Sequence, residues 1–264
     1  MNDMAELVRG FLSEPIWVRR LSIGLLVALR LAPLTILAPW IALKQSPALL
    51  RAVLLLALTC ALTPIADAHA SALPTDAGTF VLAALREVIF GTMLAVASAV
   101  PLLAFEQSGR LIDSLRGAQG DATDASGGRS SQLGVFSMLL GTTLFLILGG
   151  HRLVLGALAD GLITAPAGAA AIDATSLTEI GRLLILSIEL AVALAAPAAV
   201  ALFASDVALG LISRSASNIP MYFAAMPLRS AVGLGAVLLS LSLLTPQLAE
   251  LFQQAIDSMR ALSS

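Results

Sequence analysis

Residues 77–105 read AGTFVLAALREVIFGTMLAVASAVPLLAF, and only Arg86 and Glu87 among them carry a charge. A helix needs about 20 mostly apolar residues to cross the hydrocarbon core of a membrane, which is roughly 30 Å thick. The stretch is longer than that, so the helix it predicts must tilt, project beyond the bilayer or break.

Six further apolar runs lie on either side of this stretch. They are Leu21–Leu43, Leu49–Ala66, Leu133–Gly150, Leu153–Ile172, Ile180–Ile212 and Leu228–Leu244. Together the runs predict an all-α, polytopic membrane protein with about six to seven apolar helical segments, organised as one domain over residues 1–264. Pro197 is the expected break in the long run that starts at Ile180. The run from Leu153 is rich in Gly and Ala, which predicts a buried or re-entrant piece.

The composition agrees with a membrane protein. Of the 264 residues, 58% are hydrophobic and 12% charged, and the mean hydropathy is +0.93. A soluble domain carries about 25% charged residues, so this chain has too little polar surface to face water on all sides. The formal net charge of −2 and the scattered Lys and Arg residues argue against nucleic-acid binding.

The sequence lacks the motifs typical of nucleotide hydrolases and of membrane metalloproteases. It contains no phosphate-binding loop ending in Lys-Ser or Lys-Thr and no His-Glu-x-x-His pair. One cysteine, Cys60, and two histidines argue against a metal site of the usual composition, and no cofactor is implied. We therefore predict a protein that is not an enzyme.

Five charged residues lie inside apolar runs, where an ionised side chain costs about 3 kcal/mol or more. They are Arg30, Arg86, Glu87, Glu189 and Asp206. Either they form ion pairs that fix helix register within a complex, or they line a solute pathway or proton relay. Arg86 and Glu87 are adjacent and project about 100° apart on a helix, so separate partners are expected.

The longest polar stretch, Glu106–Gln132, begins with charges at helical spacing. Glu106 and Arg110 are four residues apart, and Asp113 and Arg116 are three apart. Such pairs are neighbours on a helix surface, so the third helix is predicted to continue past its apolar part.

The composition of residues 117–131 then changes to Gly, Ala, Ser, Thr and Asp. Four glycines lie in this part: Gly117, Gly120, Gly127 and Gly128. The part is either an ordinary linker or a gate that moves in and out of a pathway, for which a glycine-rich backbone is suitable.

Three stretches carry a resemblance to a known family. They are EQSGRLIDSLRGAQ at residues 106–119, LGGHRLVLGALADGLITAP at 148–166 and SDVALGLISRSASNIPMYFAAMPLRSAV at 205–232. Their order and spacing resemble the FliR/SctT family of type III secretion export-apparatus proteins, from the first apolar run to Leu244. The sequence Ile112-Asp113…Arg116-Gly117 is more similar to the injectisome branch (SctT) than to the flagellar branch (FliR).

The resemblance implies a non-enzymatic pore or export-gate subunit in the bacterial inner membrane, built from bent helical hairpins. It implies SctR/FliP-type, SctS/FliQ-type and SctU/FlhB-type subunits as partners, together with membrane lipid and unfolded secretion substrates in transit. No nucleic acid and no cofactor belong to such an assembly.

The resemblance also implies roles for particular residues. The family's pore-plugging segment matches the part that contains the candidate gate residues Gly109, Arg110, Asp113, Arg116, Gly117, Gly120, Gly127 and Gly128. Candidate assembly residues or intramembrane charges are Arg86, Glu87, Glu189, Asp206, Arg214 and Pro227, of which the last two match the family's last-loop motif. That loop commonly has Pro-Gln-x-Asn after the arginine, whereas this chain has Ser217-Asn218-Ile219-Pro220, with proline displaced by three positions.

Two other functions stay open at this point. The first is an independent secondary transporter for a small solute, with Arg86, Glu87, Glu189 or Asp206 as ligands. The second is an intramembrane serine protease, in which Ser126, before Gly127-Gly128, would use His151 as its base; this is a weak match.

Overall fold

The computed structural model describes residues 15–41, 47–70, 74, 76–117, 131–170, 174–215 and 221–263. Within these ranges the chain forms seven helices and no strand. The helices are α1 (Pro15–Leu37), α2 (Ala48–His69), α3 (Ala77–Leu115), α4 (Gln132–Ile147), α5 (Gly150–Thr164), α6 (Ala174–Ser215) and α7 (Met221–Ser263). The all-α fold and the number of apolar segments that the sequence predicted are confirmed.

Four of the described helices, α1, α2, α3 and α6, are long and apolar enough to cross a membrane. A fifth crossing results if α4 and α5 together make one interrupted span. The interruption lies at Gly149, whose φ of 75° is in the left-handed region that glycine adopts without a steric penalty. The chain is therefore a multi-pass membrane protein.

The two longest apolar runs form helices that continue through proline. α3 has 39 residues and contains Pro101, and α6 has 42 residues and contains Pro197. The break predicted at Pro197 is therefore wrong. A proline removes one backbone donor, and neighbouring helices can hold the helix together around it. Ala195 and Ala198 on either side of Pro197 are buried in such a contact.

Contacts divide the helices into two compact groups. The first group comprises Met1–Ala99, Gly149–Arg182 and Ala255–Ser264, and the second comprises Val100–Leu148 and Leu183–Gln254. In the first group α1 packs along α2, and α2 also contacts α5. A single domain over residues 1–264 stays a prediction.

α1 and α5 each bury one face in the first group. The buried residues of α1 recur every three or four positions: Ile23, Leu26, Val27, Arg30, Leu31 and Leu34. The buried residues of α5 do the same: Val154, Ala157, Leu158, Gly161 and Leu162. This spacing places each set on one side of its helix. The part of the Leu153–Ile172 run that forms α5 thus buries one face and exposes the other; a buried or re-entrant piece stays a prediction.

Arg30 and Glu87 form a buried ion pair between α1 and α3. Their side chains are 2% and 0% exposed. Arg30 Nε donates to Glu87 Oε2 at 2.5 Å, and Nη2 donates to Oε1 at 3.0 Å, so the pair is bidentate. The N–H of Gly168 donates a further hydrogen bond to Glu87 Oε1 at 2.8 Å.

The remaining donors of Arg30 bind the end of α5. Nη1 donates to the carbonyls of Gly161 and Ala165 at 3.2 and 2.8 Å, and Nη2 donates to the carbonyl of Pro166 at 3.5 Å. The five N–H groups of the guanidinium therefore have five acceptors. Because the last carbonyls of a helix have no partner within it, Arg30 also satisfies the C-terminal end of α5.

Gly91 allows α1 and α3 to approach closely beside this pair. A Cβ atom at Gly91 would lie 1.9 Å from the carbonyl oxygen of Arg30. The Arg30 guanidinium lies over the ring of Phe90, 4.9 Å from its centroid. The helix contact thus combines a bidentate ion pair, a cation–π contact and a backbone-to-backbone approach.

Replacing Glu87 by Leu should lower the free energy of unfolding by about 3–5 kcal/mol, because Arg30 would stay buried without its counter-charge. Denaturation of the detergent-solubilised protein measures the loss. The control is Arg86→Leu, since Arg86 is exposed on the same helix turn. The double variant Arg30→Leu/Glu87→Leu should be more stable than Glu87→Leu alone. Equal stability of Glu87→Leu and Arg86→Leu would contradict the stabilising role of the pair.

Replacing Gly91 by Ala should destabilise the protein by about 1–3 kcal/mol or more, because α1 and α3 must separate to admit the methyl group. Gly156 in α5 is the matched control, because nothing lies within 4 Å of a Cβ added there. Gly156→Ala should stabilise the helix by up to about 1 kcal/mol. Thermal denaturation compares the two, and a harmless Gly91→Ala would show that the helices are not in close contact.

Candidate functional site

The described candidate gate residues lie where α3 ends, within the second helix group. α3 continues past its apolar part, as the charge spacing predicted. Arg110 Nη2 donates to Glu106 Oε1 at 2.7 Å, and Arg116 pairs with Asp113 one turn further on. The helix stops before Gly117, whose φ of 70° is a glycine-favouring conformation common at helix C-termini.

Asp113 is the centre of this site, with a side chain that is 4% exposed. Its Oδ2 accepts hydrogen bonds from the Ser131 hydroxyl at 2.6 Å and from the Leu133 N–H at 2.9 Å. Its Oδ1 accepts from Arg116 Nη2. We name these four residues the Asp113 clamp, because one carboxylate joins the end of α3 to the start of α4.

Ser131 is the N-cap of α4. Its hydroxyl accepts a hydrogen bond from the Gly134 N–H at 2.8 Å while it donates to Asp113. A capping hydroxyl satisfies one of the backbone donors that the first helical turn leaves free. The carboxylate of Asp113 also lies at the N-terminus of α4, where the helix dipole favours a negative charge.

Glycine contacts continue the pairing of α3 with α4. A Cβ atom at Gly109 would lie 2.3 Å from the carbonyl oxygen of Leu133, and one at Gly141 would lie 2.7 Å from Cγ of Phe105. Residue numbers fall along α3 as they rise along α4, so the two helices form an antiparallel hairpin. Small residues permit such close approach between apolar helices.

A second charged pair lies beside the hairpin. Arg229 Nε donates to Asp206 Oδ1 at 2.6 Å, which joins α7 to α6. Asp206 and Arg229 line a cavity of about 410 Å³ together with Arg116 and Gly117. The Arg116 side chain packs on Gly233 of α7. A Cβ atom added at Gly233 would lie 2.9 Å from Cδ of Arg116. Arg116, a member of the Asp113 clamp, therefore contacts both Asp113 and α7.

The other predicted assembly residues lie on exposed positions. Arg86 is on α3, Glu189 and Arg214 are on α6, and Pro227 is on α7. Arg86 is exposed, whereas Glu87 is buried and bound to Arg30; a separate partner for Arg86 stays a prediction. Among the described residues, no three His, Cys, Asp or Glu side chains are grouped as metal ligands would be.

Several predicted residues lie outside the described residues. They are the candidate gate residues Gly120, Gly127 and Gly128, the candidate nucleophile Ser126, and the divergent loop residues Ser217 to Pro220. The candidate site therefore rests on Gly109, Arg110, Asp113, Arg116 and Gly117.

Sequence reasoning missed partners rather than charges. The sequence identifies Arg30 as an intramembrane charge but does not pair it with Glu87, and it does not pair Arg229 with Asp206. Ser131 marks only the end of the polar stretch in the sequence interpretation. A serine directly before an apolar run is a helix N-cap signal, so this signal was available in the sequence.

Replacing Asp113 by Asn should loosen the start of α4, because Arg116 loses its counter-charge and the Leu133 N–H loses a charged acceptor. We expect at least tenfold faster hydrogen exchange at the Leu133 amide, which corresponds to about 1.4 kcal/mol or more. Glu106→Gln is the control, since it removes a more exposed ion pair from the same helix end and should change exchange little. Equal exchange in the two variants would contradict the clamp.

Three known proteins are similar in sequence to this chain. Secretion system apparatus protein SsaT of Salmonella typhimurium is 31% identical over 158 residues, which cover 58% of this chain and 61% of that protein. Yop proteins translocation protein T of Yersinia pestis is 30% identical over 167 residues, covering 60% and 62%. Flagellar biosynthetic protein FliR of Pectobacterium carotovorum is 26% identical over 202 residues, covering 76% and 77%. The chain thus spans less than two thirds of the first two relatives.

The family of bacterial export proteins, family 1, matches residues 21–255, a range that extends from α1 into α7. The match includes the Arg30–Glu87 pair, the Asp113 clamp and the Asp206–Arg229 pair. Since it covers most of the 264 residues, the chain belongs to the bacterial export proteins, family 1.

Proposed function

We propose that this chain is a non-enzymatic pore or export-gate subunit of a type III protein secretion system in the bacterial inner membrane. In this role it passes unfolded substrate proteins. Family membership and the names of the relatives support a part in protein export. The observation that carries the gate is the Asp113 clamp at the base of the α3–α4 hairpin.

A gate requires a fixed frame from which a segment can enter and leave a pathway. The clamp supplies such a frame, because Asp113 binds α3 through Arg116 and α4 through Ser131 and Leu133. The close glycine contacts of α3 with α4 support this frame, because a side chain at Gly109 would collide with the backbone of Leu133 and one at Gly141 with the Phe105 ring. Arg116 and Ser131, on either side of residues 118–130, are thus bound by one carboxylate.

Arg116 couples this frame to α6 and α7. It bonds to Asp113, packs on Gly233 and lines the same cavity as the Asp206–Arg229 pair. A displacement of α7 would therefore move a member of the clamp. This arrangement supports a gate whose state depends on how neighbouring helices, and the subunits bound to them, are placed.

Exposed apolar side chains support assembly with other membrane subunits. On α2, Leu49 and Val53 are 76% and 55% exposed, and on α6, Val200 and Phe203 are 69% and 71% exposed. We propose SctR/FliP-type, SctS/FliQ-type and SctU/FlhB-type subunits as protein partners of such surfaces, with lipid covering the rest.

A small-solute transporter is supported less well. Both Glu87 oxygens are bonded to Arg30 or to the Gly168 N–H, and all N–H groups of Arg30 have acceptors. Asp206 is bonded to Arg229. Each of these charged side chains is already bonded to another protein group, so it is a poor candidate for a solute ligand.

Deleting residues 118–130 and joining Gly117 to Ser131 by a short Gly-Ser linker tests the gate. The clamp residues stay in place, so the complex should assemble, and the channel should leak ions because the closing segment is gone. Single-channel conductance of the complex in planar bilayers measures the leak. Complexes with the unaltered chain and with Glu106→Gln are the controls. A deletion variant that assembles and stays tight would contradict the gate.

Co-purification tests the wider proposal. A tagged chain should bring down SctR-type and SctS-type subunits from native membranes, and its yield should fall when it is expressed without them. Solute flux through liposomes that contain this chain alone, lost in Glu87→Gln or Asp206→Asn, would favour a transporter instead.

A further inference from the structure

An open apolar groove lies between α1 and α2 in the first helix group. Its volume is about 990 Å³. Leu21, Leu25 and Ala28 line it from α1, and Ala52 and Leu56 line it from α2. Such a groove on a multi-pass membrane protein is a binding surface for an apolar chain, since its walls gain nothing from water.

The two threonine hydroxyls in the wall of the groove donate their hydrogen bonds within α2. The Thr59 hydroxyl donates to the carbonyl of Leu55 at 2.7 Å, and the Thr63 hydroxyl donates to the carbonyl of Thr59 at 2.6 Å. Both hydroxyls therefore bond to their own helix, and among the residues that the structure describes the only other polar side chain in the middle of the groove is the weakly polar thiol of Cys60. This part of the groove therefore favours a hydrocarbon occupant.

One end of the groove is positively charged. Arg19 and Arg20 lie there with side chains 51% and 55% exposed, and both approach the single carboxylate of Asp67 at 3.4 Å. Two guanidinium groups that share one carboxylate leave an excess of one positive charge. The Arg20 guanidinium also lies over the ring of Trp17 at 5.8 Å.

This charged end coincides with the end of a candidate membrane span. The apolar span of α1 begins at Trp17, and that of α2 ends at His69, two residues beyond Asp67. Tryptophan and arginine at such an end are typical of the membrane–water interface. The groove therefore runs from the interface into the apolar layer.

The groove is long enough for an acyl chain. On α2 it extends from Ala52 to Ala68, which is about 24 Å at 1.5 Å per helical residue. One leaflet of the hydrocarbon core is roughly 15 Å thick, half of the ~30 Å total. A lipid headgroup at the arginines can thus place its acyl chain along the groove without leaving its leaflet.

We propose that this groove is a binding site for an anionic phospholipid. The lipid phosphate binds Arg19 and Arg20, and one acyl chain lies between α1 and α2. Arginine binds phosphate oxygens through paired N–H groups. An anionic headgroup balances the excess positive charge, whereas a zwitterionic headgroup brings its own cation to a site that already has two. The site stands independently of the proposed export function.

Native mass spectrometry of the purified full-length chain tests the charge preference. The probes are dioleoyl phosphatidylglycerol and dioleoyl phosphatidylcholine, titrated separately. We expect phosphatidylglycerol to bind more tightly, and Arg19→Gln/Arg20→Gln to weaken its binding by about 10- to 30-fold. Arg182→Gln is the control, because Arg182 is 78% exposed in the same helix group but does not line the groove. Equal affinity for the two lipids, or equal loss in the two variants, would overturn the proposal.

A bulky substitution tests whether the acyl chain lies in the groove. Ala52→Trp fills it from the α2 side, so phosphatidylglycerol binding should weaken at least tenfold. Val53→Trp is the matched control, since Val53 is the next residue, is 55% exposed and does not line the groove. Unchanged binding by Ala52→Trp would show that the arginines hold the lipid outside the groove.

Cys60 gives a readout that requires no variant. It is the only cysteine of the chain, it is exposed, and it lies in the groove wall. Maleimide labelling of Cys60 should be several-fold slower in phosphatidylglycerol nanodiscs than in phosphatidylcholine nanodiscs. Equal labelling in the two lipids would refute a site for anionic lipid. In the assembled complex, protection that is independent of lipid would assign the groove to a helix of another subunit instead.

Discussion

The buried pair of Arg30 with Glu87 is the interaction on which the first helix group depends. Apolar helices in a membrane gain little by choosing one neighbour over another, because lipid tails are as apolar as leucine. A buried charge restricts this choice of neighbour, because it is stable only beside a helix that supplies the counter-charge. Arg30 binds Glu87 of α3 and the carbonyls at the end of α5, so three helices share one register. The close approach at Gly91 is possible only in that register.

The second helix group follows the same rule with different residues. Here the central charged group is Asp113, as Arg30 is in the first group. Its partners are the capping hydroxyl of Ser131 and the N–H of Leu133, whereas Arg30 binds carbonyls. In both groups a glycine contact lies within a turn of the buried charge. Few polar contacts therefore position many apolar residues, and the apolar surface that remains is free to meet lipid or other subunits.

Helix positions were predictable from the sequence because hydrophobic runs need no partner to be recognised. The charge spacing from Glu106 to Arg116 also predicted the extension of α3, since neighbours on one helix turn are fixed by local geometry. Partners across the fold were not predictable in this way. Arg30 and Glu87 are 57 positions apart, and nothing local selects Glu87 over Glu189. The break at Pro197 was wrong for a related reason, because packing around a proline decides whether a helix continues through it.

The Asp113–Ser131 hydrogen bond closes a loop of the chain, because it joins two residues 18 positions apart. The entropy of closing a loop grows only with the logarithm of its length, about 0.6 kcal/mol for each doubling. Insertions or deletions between residues 118 and 130 therefore cost the hairpin little stability. Residues 118–130 can therefore change in length and sequence while α3 and α4 keep their pairing.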